Sequence, residues 1–204
     1  MDLKSSFKRD LRKEQQLSVL LDSIYQKYLK HYDYERVNAL KRQLQGIDLV
    51  LTHRTTQNEF LIDEKAQLDY LNDDLPTFAF ELHYQKNKEA KQGWLFDKAK
   101  KTDFYALITA IYVDEPDVYT SCKVTFVNRA KLILFLETRN ITPKRLEKHL
   151  NAAQEHHGKI EMAGLDVKKE GYLYCSTQNK AEKPINLILK LDFLIEKGIA
   201  KRLV

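Results

Sequence analysis

The sequence has few cysteines, no long apolar run and no linker rich in glycine and serine. Its only cysteines, Cys122 and Cys175, support neither a disulfide framework nor a zinc site. No apolar run approaches the about 20 residues of a membrane helix; the longest candidate, residues 105–113, is interrupted by Thr109. The basic N-terminal residues precede no apolar segment, so we expect no secretory signal and a cytoplasmic protein that does not enter a membrane.

The length and composition indicate one folded domain. A chain of 204 residues is long enough for one domain with a full core and too short for two. Hydrophobic residues make up 43% of the chain, with eleven tyrosines and nine phenylalanines, which is atypical of a disordered protein. We find neither internal repeats nor low-complexity segments, and we predict a single domain over residues 1–204.

The charge balance favours a polyanionic partner. The formal net charge is +5 and the pI is near 9.0, and basic proteins bind nucleic acids by neutralising phosphates and releasing counterions. Many basic proteins bind no nucleic acid, so the charge is a weak indication taken by itself.

The N-terminal residues 5–45 are predicted to form two helices. Apolar residues recur at intervals of three and four on one face of the first helix, which runs to Tyr32: Leu17, Leu20, Leu21, Ile24 and Tyr28. Asp33 is a candidate N-cap for a second helical segment that carries Val37, Leu40 and Leu44. Gly46 can end that segment in the left-handed conformation.

Residues 46–127 are predicted to form the sheet core. Residues 47–52 and 60–66 are short and apolar and flank a polar stretch, a pattern typical of a hairpin. Residues 77–84 alternate apolar and polar side chains and predict the third strand of a meander. Residues 85–101, rich in lysine, are expected to form an exposed basic loop, and strands are expected at 104–113 and 123–127.

The C-terminal residues 128–204 are predicted to mix helices and strands. Residues 130–137 and 143–153 have helical patterns, and Pro143 suits a first helical turn. Strands are expected near 171–176 and 185–190, followed by a short helix over 191–197. The fold class is therefore α/β or α+β, with a central mixed β-sheet flanked by helices.

Three residues of the predicted hairpin suit metal-dependent phosphodiester hydrolysis. Side chains alternate along a strand, so Asp63 and Lys65 project from one face. If the hairpin turns near residues 56 and 57, Asp48 lies roughly opposite Lys65, and cross-strand neighbours about 5–8 Å apart could share a metal ion. Carboxylates can hold Mg²⁺ or Mn²⁺, while the lysine orients water or stabilises the transition state.

Asp48 and the triplet Asp63-Glu64-Lys65 resemble the motif of the PD-(D/E)XK nuclease superfamily. The resemblance covers about residues 15–127 and implies a restriction-endonuclease-like core. It further implies that Asp48 and Asp63 are metal ligands and that Lys65 is the catalytic lysine. The middle position of the triplet is usually apolar in this superfamily, so Glu64 requires either a polar surface or a salt bridge on its side of the sheet. The superfamily often adds an acid from the preceding helix, for which Asp22 and Glu35 are the available candidates.

Further residues are candidates for metal or substrate binding. Glu81 lies on the polar side of the predicted third strand and is either a third metal ligand or part of a solvated face. Gln67 shares the face of Asp63 and Lys65 and is a candidate for binding phosphate or water. The basic loop could bind single-stranded nucleic acid, with its lysines on the phosphates and the Trp94 ring stacked on a base. It could instead be a solvated loop that Trp94 anchors. The substrate-binding candidates in this loop are Trp94, Lys98, Lys100 and Lys101.

Alternatives remain open at the sequence level. An acid-x-Lys triplet also occurs at Asp166-Val167-Lys168, with Glu161 upstream. Asp48 and Asp63 could be surface acids paired with Lys65 rather than ligands. The favoured hypothesis is a Mg²⁺-dependent or Mn²⁺-dependent nuclease acting on DNA, for which a homodimer would suit cleavage of two strands. The alternative is an inactive nuclease-fold module that binds nucleic acid or a protein partner.

Overall fold

The computed structural model describes residues 3–86, 89–115, 118–146, 156–178 and 182–204. The chain forms two compact units. The first comprises Met1–Leu75, Phe104–Phe126 and Arg202–Val204, and the second comprises Pro76–Asp103 and Val127–Lys201. The expectation of one nuclease-like domain over 1–204 stays a prediction, although the strands divide between two sheets.

The helices and strands follow one another in this order: α1 (Leu3–Tyr28), β1 (Tyr32–Arg36), α2 (Leu40–Leu44), β2 (Leu49–His53), β3 (Glu59–Ala66), β4 (Thr77–Lys86), β5 (Glu89–Gln92), β6 (Phe104–Glu115), β7 (Val118–Asn128), α3 (Arg129–Thr138), β8 (Gly158–Ile160), β9 (Gly171–Cys175), β10 (Ile185–Lys190), α4 (Leu191–Glu196) and β11 (Ala200–Arg202). A six-stranded sheet has the order β1-β2-β3-β6-β7-β11, and a five-stranded sheet has the order β5-β4-β10-β9-β8. The predicted combination of helices with a mixed sheet is confirmed at this level, because β3 pairs antiparallel with β2 and parallel with β6.

Helix α1 is the predicted amphipathic helix of the first unit. Leu17, Leu21 and Ile24 are buried as expected and pack in one core cluster with β2, β3 and β6. Tyr28 is exposed, and the last buried aromatic residue on the apolar face of α1 is Tyr25, four residues after Leu21. Residues four apart lie on one helix face, so Tyr25 extends the buried face of α1 that carries Leu21.

The predicted helical segment beginning at Asp33 is wrong, because residues 32–36 form strand β1. Tyr32, Tyr34 and Arg36 alternate with more exposed residues, and β1 pairs antiparallel with β2, with Tyr34 opposite Leu51. Tyrosine and strict alternation favour a strand. Only residues 40–44 are helical in this segment, and Gly46 follows α2 with a φ of 73°, which confirms the left-handed ending.

The predicted meander is also wrong, because β4 does not adjoin β3. The neighbour of β3 is the parallel strand β6, with Ile62 opposite Phe104 and Ala66 opposite Ile108. Strand β4 belongs to the five-stranded sheet, where Phe80 lies opposite Leu187 of β10. Alternation identifies a strand with one buried face, but it does not reveal which sheet that strand joins.

The second unit confirms most of the predicted C-terminal elements. The predicted helix at 130–137 and the predicted strands and helix between 171 and 197 correspond to α3, β9, β10 and α4. Residues 143–146 are helical, and the rest of the predicted helix 143–153 lies outside the described residues. No helix among the described residues is long and apolar enough to cross a membrane.

Candidate metal and catalytic site

The β2–β3 hairpin brings the two predicted aspartates together. The chain turns between His53, whose amide donates to the Asn58 carbonyl at 2.9 Å, and Gln57, which has a φ of 59°. The pairing runs to Leu49, which lies opposite Ile62, and the backbone amide of Asp48 donates to the Ile62 carbonyl at 2.8 Å. The turn position is as predicted, but Asp48 pairs at Ile62 rather than opposite Lys65. The carboxyl groups of Asp48 and Asp63 lie close enough to interact, and Lys65 is a further charged neighbour of Asp48.

Each carboxylate is held by a neighbouring donor. The backbone amide of Glu64 donates to Oδ2 of Asp48 at 2.9 Å, and Nζ of Lys65 donates to Oδ1 of Asp63 at 2.6 Å. Asp63 is 1% exposed, and its Oδ2 accepts no hydrogen bond from the described residues. A buried carboxylate oxygen without a donor costs free energy, so this atom lies where a cation or a shared proton would stabilise it.

Burial and like charge perturb Asp48 strongly. The pKa of Asp48 is raised from 3.8 to about 7, first by desolvation and next by the nearby Asp63 charge, while the Glu64 amide and the Lys65 charge lower it in part. Two carboxyl groups that share a site cannot both ionise easily. Near neutral pH the pair therefore either retains a proton or exchanges it for a metal ion.

The two aspartates fit a hard divalent cation. Carboxylate oxygens are the protein ligands that Mg²⁺ and Mn²⁺ prefer, and Mg²⁺ usually keeps several waters alongside one or two carboxylates. Asp48 and Asp63 would supply those two carboxylates, and Oδ2 of Asp63 has no other donor to satisfy it among the described residues. The described part of the chain contains no group of three or more His, Cys, Asp or Glu side chains that could hold a metal ion, so the remaining positions would fall to water or to a substrate phosphate.

Glu64 projects from the opposite face of the sheet, toward α1. Its Oε1 accepts a hydrogen bond from the Tyr25 hydroxyl at 2.7 Å, and its Oε2 accepts one from Nη1 of Arg36 at 2.8 Å. The salt bridge required by a carboxylate at this position is therefore present. Sequence reasoning missed Arg36 because it placed residues 33–44 in a helix. The alternation of Tyr32, Tyr34 and Arg36 was the signal that could have found it.

Neither candidate for an additional helix acid joins the site. Asp22 lies on α1 and its Oδ1 accepts from Nε of Arg36 at 2.7 Å, on the same side of the sheet as Glu64. Glu35 lies on β1 rather than on a helix, where it is exposed and lies opposite Val50. The expectation that one of them is a helix-borne ligand next to Asp48 and Asp63 is not supported by these positions.

Of two further predicted residues, Gln67 lies in the first unit and Glu81 in the second. Gln67 is half-buried directly after β3, and its backbone amide donates to the Ile108 carbonyl at 3.0 Å. Glu81 lies on β4 in the second unit, opposite Asn186 of β10, so it is not on the strand pair that holds the aspartates. Its role as a metal ligand stays a prediction without support from the sheet topology.

The predicted basic loop, residues 85–101, begins with the end of β4 and with β5 in the second unit, and its residues 93–101 lie in neither a helix nor a strand. Trp94 is half-buried after β5, and its ring centroid lies 5.6 Å from that of Phe80, which agrees with an anchoring ring. Lys98 and Lys101 are exposed and Lys100 is half-buried. Substrate binding by these four residues stays a prediction.

The competing triplet at Asp166 lies in a turn rather than on a strand. Oδ1 of Asp166 accepts the backbone amides of Lys168 at 2.8 Å and Lys169 at 2.9 Å. These donors lower the pKa of Asp166, which is exposed. Asp166 is therefore a turn-capping residue, and the paired-acid geometry belongs to Asp48 and Asp63.

Comparisons with known proteins identify no relative. No protein-family model, curated protein or solved structure matches the chain.

Proposed function

We propose that the protein is a nuclease that hydrolyses phosphodiester bonds in DNA with Mg²⁺ or Mn²⁺. The observation that carries this proposal is the convergence of Asp48 and Asp63 on one face of a hairpin with Lys65 in contact. Its Nζ lies 2.6 Å from Oδ1 of Asp63. A carboxyl group with a perturbed pKa, placed beside a second carboxylate and a cation, is typical of active sites.

The three side chains divide the work of hydrolysis. Asp48 and Asp63 hold the metal ion, which when bound neutralises charge on the phosphoryl oxygens and lowers the pKa of water. Lys65 has a side chain that is 29% exposed, so its ammonium can contact both Asp63 and an incoming phosphate. It orients the attacking water or stabilises negative charge in the transition state. The Asp48 carboxyl, whose pKa is raised to about 7, would release its proton to the solvent when the pair holds a metal ion.

The restriction-endonuclease-like core is part of this proposal. It is supported by the mixed sheet, by α1 against one face of the sheet and by the hairpin that carries the motif on the other face. The place of β4 in another sheet departs from the expected meander. The net charge of +5 supports DNA as the polyanionic partner. The proposal keeps a homodimer, which would suit cleavage of two strands, and keeps as substrate-binding candidates Gln67, Trp94, Lys98, Lys100 and Lys101.

A second candidate function is nucleic-acid binding without turnover. It is favoured by the finding that, in the described ranges, no third acid or imidazole joins the two aspartates. Calorimetric titration of the protein with Mn²⁺ separates the two functions. Metal binding that Asp63→Asn removes supports the enzyme, whereas salt-sensitive DNA binding without metal binding supports the module.

The decisive experiment measures cleavage of plasmid and single-stranded DNA in Mg²⁺ and in Mn²⁺. We expect Asp63→Asn and Lys65→Ala each to lower the rate by at least about 100-fold, because each removes a group that acts on the reacting phosphate. Lys168→Ala is the matched control, since Lys168 occupies the same place in the exposed Asp166 triplet. Cleavage that persists in both site variants, with unchanged circular dichroism, would refute the enzyme.

A further inference from the structure

Glu64 connects the two faces of the six-stranded sheet. Its backbone amide donates to Oδ2 of Asp48 on one face at 2.9 Å. On the other face its carboxylate accepts hydrogen bonds from Tyr25 of α1 and Arg36 of β1 at 2.7 and 2.8 Å. One residue therefore holds a proposed metal ligand through its backbone while its side chain is fixed by two other elements.

The side-chain contacts of Glu64 continue into a larger network. Nε of Arg36 donates to Oδ1 of Asp22 at 2.7 Å, and Nη2 of Arg36 donates to the Ser18 carbonyl at 3.2 Å. Tyr25 is fully buried, and burial together with the Glu64 charge raises the pKa of Tyr25, so its hydroxyl remains a donor. Arg36 thus makes fixed contacts with both α1 and β3.

Glu64 has few titratable neighbours beyond this network. Cys122 of β7 faces it, and burial and the Glu64 charge raise the pKa of the Cys122 thiol to about 12, so this thiol stays neutral. On the other side of the sheet the charged neighbours of Asp48 are Asp63 and Lys65. A change at Glu64 therefore reaches Asp48 through the backbone of β3 rather than through a relay of titrating side chains.

We propose that Glu64 is a positioning residue, through which Tyr25 and Arg36 hold the β3 backbone so that its amide orients the Asp48 carboxylate for metal binding. The part of this inference that concerns metal rests on the proposed function. Residues that orient metal ligands typically change metal affinity by 10–100-fold when they are removed. The carboxylate of Glu64 itself touches neither metal nor substrate.

The backbone amide makes the orientation of Asp48 measurable. A hydrogen bond to the charged form of a carboxyl group lowers its pKa, and the Glu64 amide has this effect on Asp48. Removal of the Glu64 side chain leaves the amide in place but releases the strand from Tyr25 and Arg36. If the Glu64 amide then no longer donates to Oδ2 of Asp48, the pKa of Asp48 rises and the affinity of the site for metal falls.

The test compares Glu64→Ala with Glu64→Gln in the full chain. The alanine variant loses both acceptors, whereas the glutamine amide can still accept from Tyr25 or Arg36. Carbon-detected NMR titration of the Asp48 carboxyl and calorimetry with Mn²⁺ are the readouts. For Glu64→Ala we expect the Asp48 pKa to rise by about one unit and the Mn²⁺ dissociation constant to rise by about tenfold. Glu64→Gln is expected to change the Asp48 pKa and the Mn²⁺ dissociation constant by less than half as much as Glu64→Ala does.

An Asp48 titration in Glu64→Ala equal to that of the wild type would overturn the inference. Should this variant fail to fold, Tyr25→Phe removes one of the two anchors and leaves the Arg36–Glu64 ion pair. It is expected to raise the Asp48 pKa by a smaller amount, and an unchanged pKa there would equally overturn the inference. If the wild type binds no Mn²⁺, the proposed function fails, while the NMR titration still decides the role of Glu64.

Discussion

At the scale of single residues, the site is a compromise between burial and charge. Asp63 is buried with an oxygen that has no donor among the described residues, and Asp48 faces it across the hairpin. Such an arrangement destabilises the metal-free protein, because like charges in a poorly solvated place repel each other. Strain of this kind is typical of a functional site rather than of a stabilising surface ion pair.

The Asp48 titration predicts how stability depends on pH. The folded pKa of about 7 lies above the ordinary 3.8, so between these values the folded state binds a proton that the unfolded chain releases. Stability therefore falls as the pH rises from about 4 to about 7. We expect Asp48→Asn, in a chelator and at pH 7.5, to raise the melting temperature by about 5 °C or more. Below pH 4 the two melting temperatures should be equal, because Asp48 is then protonated in both the folded and the unfolded state.

Asp166→Asn provides the contrasting control for this prediction. Backbone amides lower the pKa of Asp166, so its charged form is favoured in the folded state and the substitution should bring no gain at pH 7.5. Melting is followed by calorimetry or circular dichroism over a series of pH values. Equal melting temperatures for Asp48→Asn and wild type at pH 7.5 would show that Asp48 and Asp63 do not repel each other.

At the scale of elements, helix α1 and the turn before β2 prepare the site. Helix α1 packs on the face of the sheet opposite to the aspartates and supplies Tyr25. Gly46 lies two residues before Asp48 and has a φ of 73°. This conformation lets the chain leave α2 and turn toward β2. Glycine adopts this left-handed conformation without the steric cost that a side chain would add.

The packing of α1 can be tested by two substitutions on the same helix. Leu21 is 2% exposed and Val19 is 71% exposed. Leu21→Ala is expected to lower the free energy of unfolding by about 2–5 kcal/mol, because it leaves a cavity in the core. Val19→Ala should change it by less than about 0.5 kcal/mol. Urea denaturation measures both, and similar losses in the two variants would mean that α1 does not pack through the Leu21 face.

At the scale of the whole molecule, the two compact units carry different predicted residues. Asp48, Asp63 and Lys65 belong to the first unit, whereas Glu81 and the lysines near Trp94 belong to the second. The three residues of the proposed metal site therefore all lie within one unit. The role of the second unit in substrate binding depends on the charge that it carries.

The net charge of +5 predicts salt-sensitive DNA binding. Fluorescence anisotropy in a chelator, which prevents cleavage, should show affinity falling steeply between about 50 and 200 mM salt. Lys98→Ala and Lys101→Ala should each reduce the slope of the log–log plot by about one if each lysine contacts a phosphate. Lys168→Ala serves as the control. The absence of DNA binding at low salt would favour a protein partner instead.

Local patterns in the sequence were enough for many of the elements and for part of the site, although residues 32–36 form strand β1 and not the predicted helix. Apolar spacing predicted α1, β-branched and apolar runs predicted the β2–β3 hairpin, and alternation placed Asp63 and Lys65 on one face. Asp166 could be set aside only after the structure showed a turn, because an acid-x-Lys triplet is compatible with either conformation.

Only the tertiary structure decided which strands and side chains meet. The strand pairing brings Asp48 to Ile62, next to Asp63, rather than opposite Lys65, because pairing depends on which apolar face each strand buries and on the turn geometry. The parallel neighbour β6 and the removal of β4 to another sheet depend on contacts between residues far apart in sequence. Arg36 became a partner of Glu64 for the same reason: a buried carboxylate requires a cation, and the sequence does not state which cation the fold brings to it.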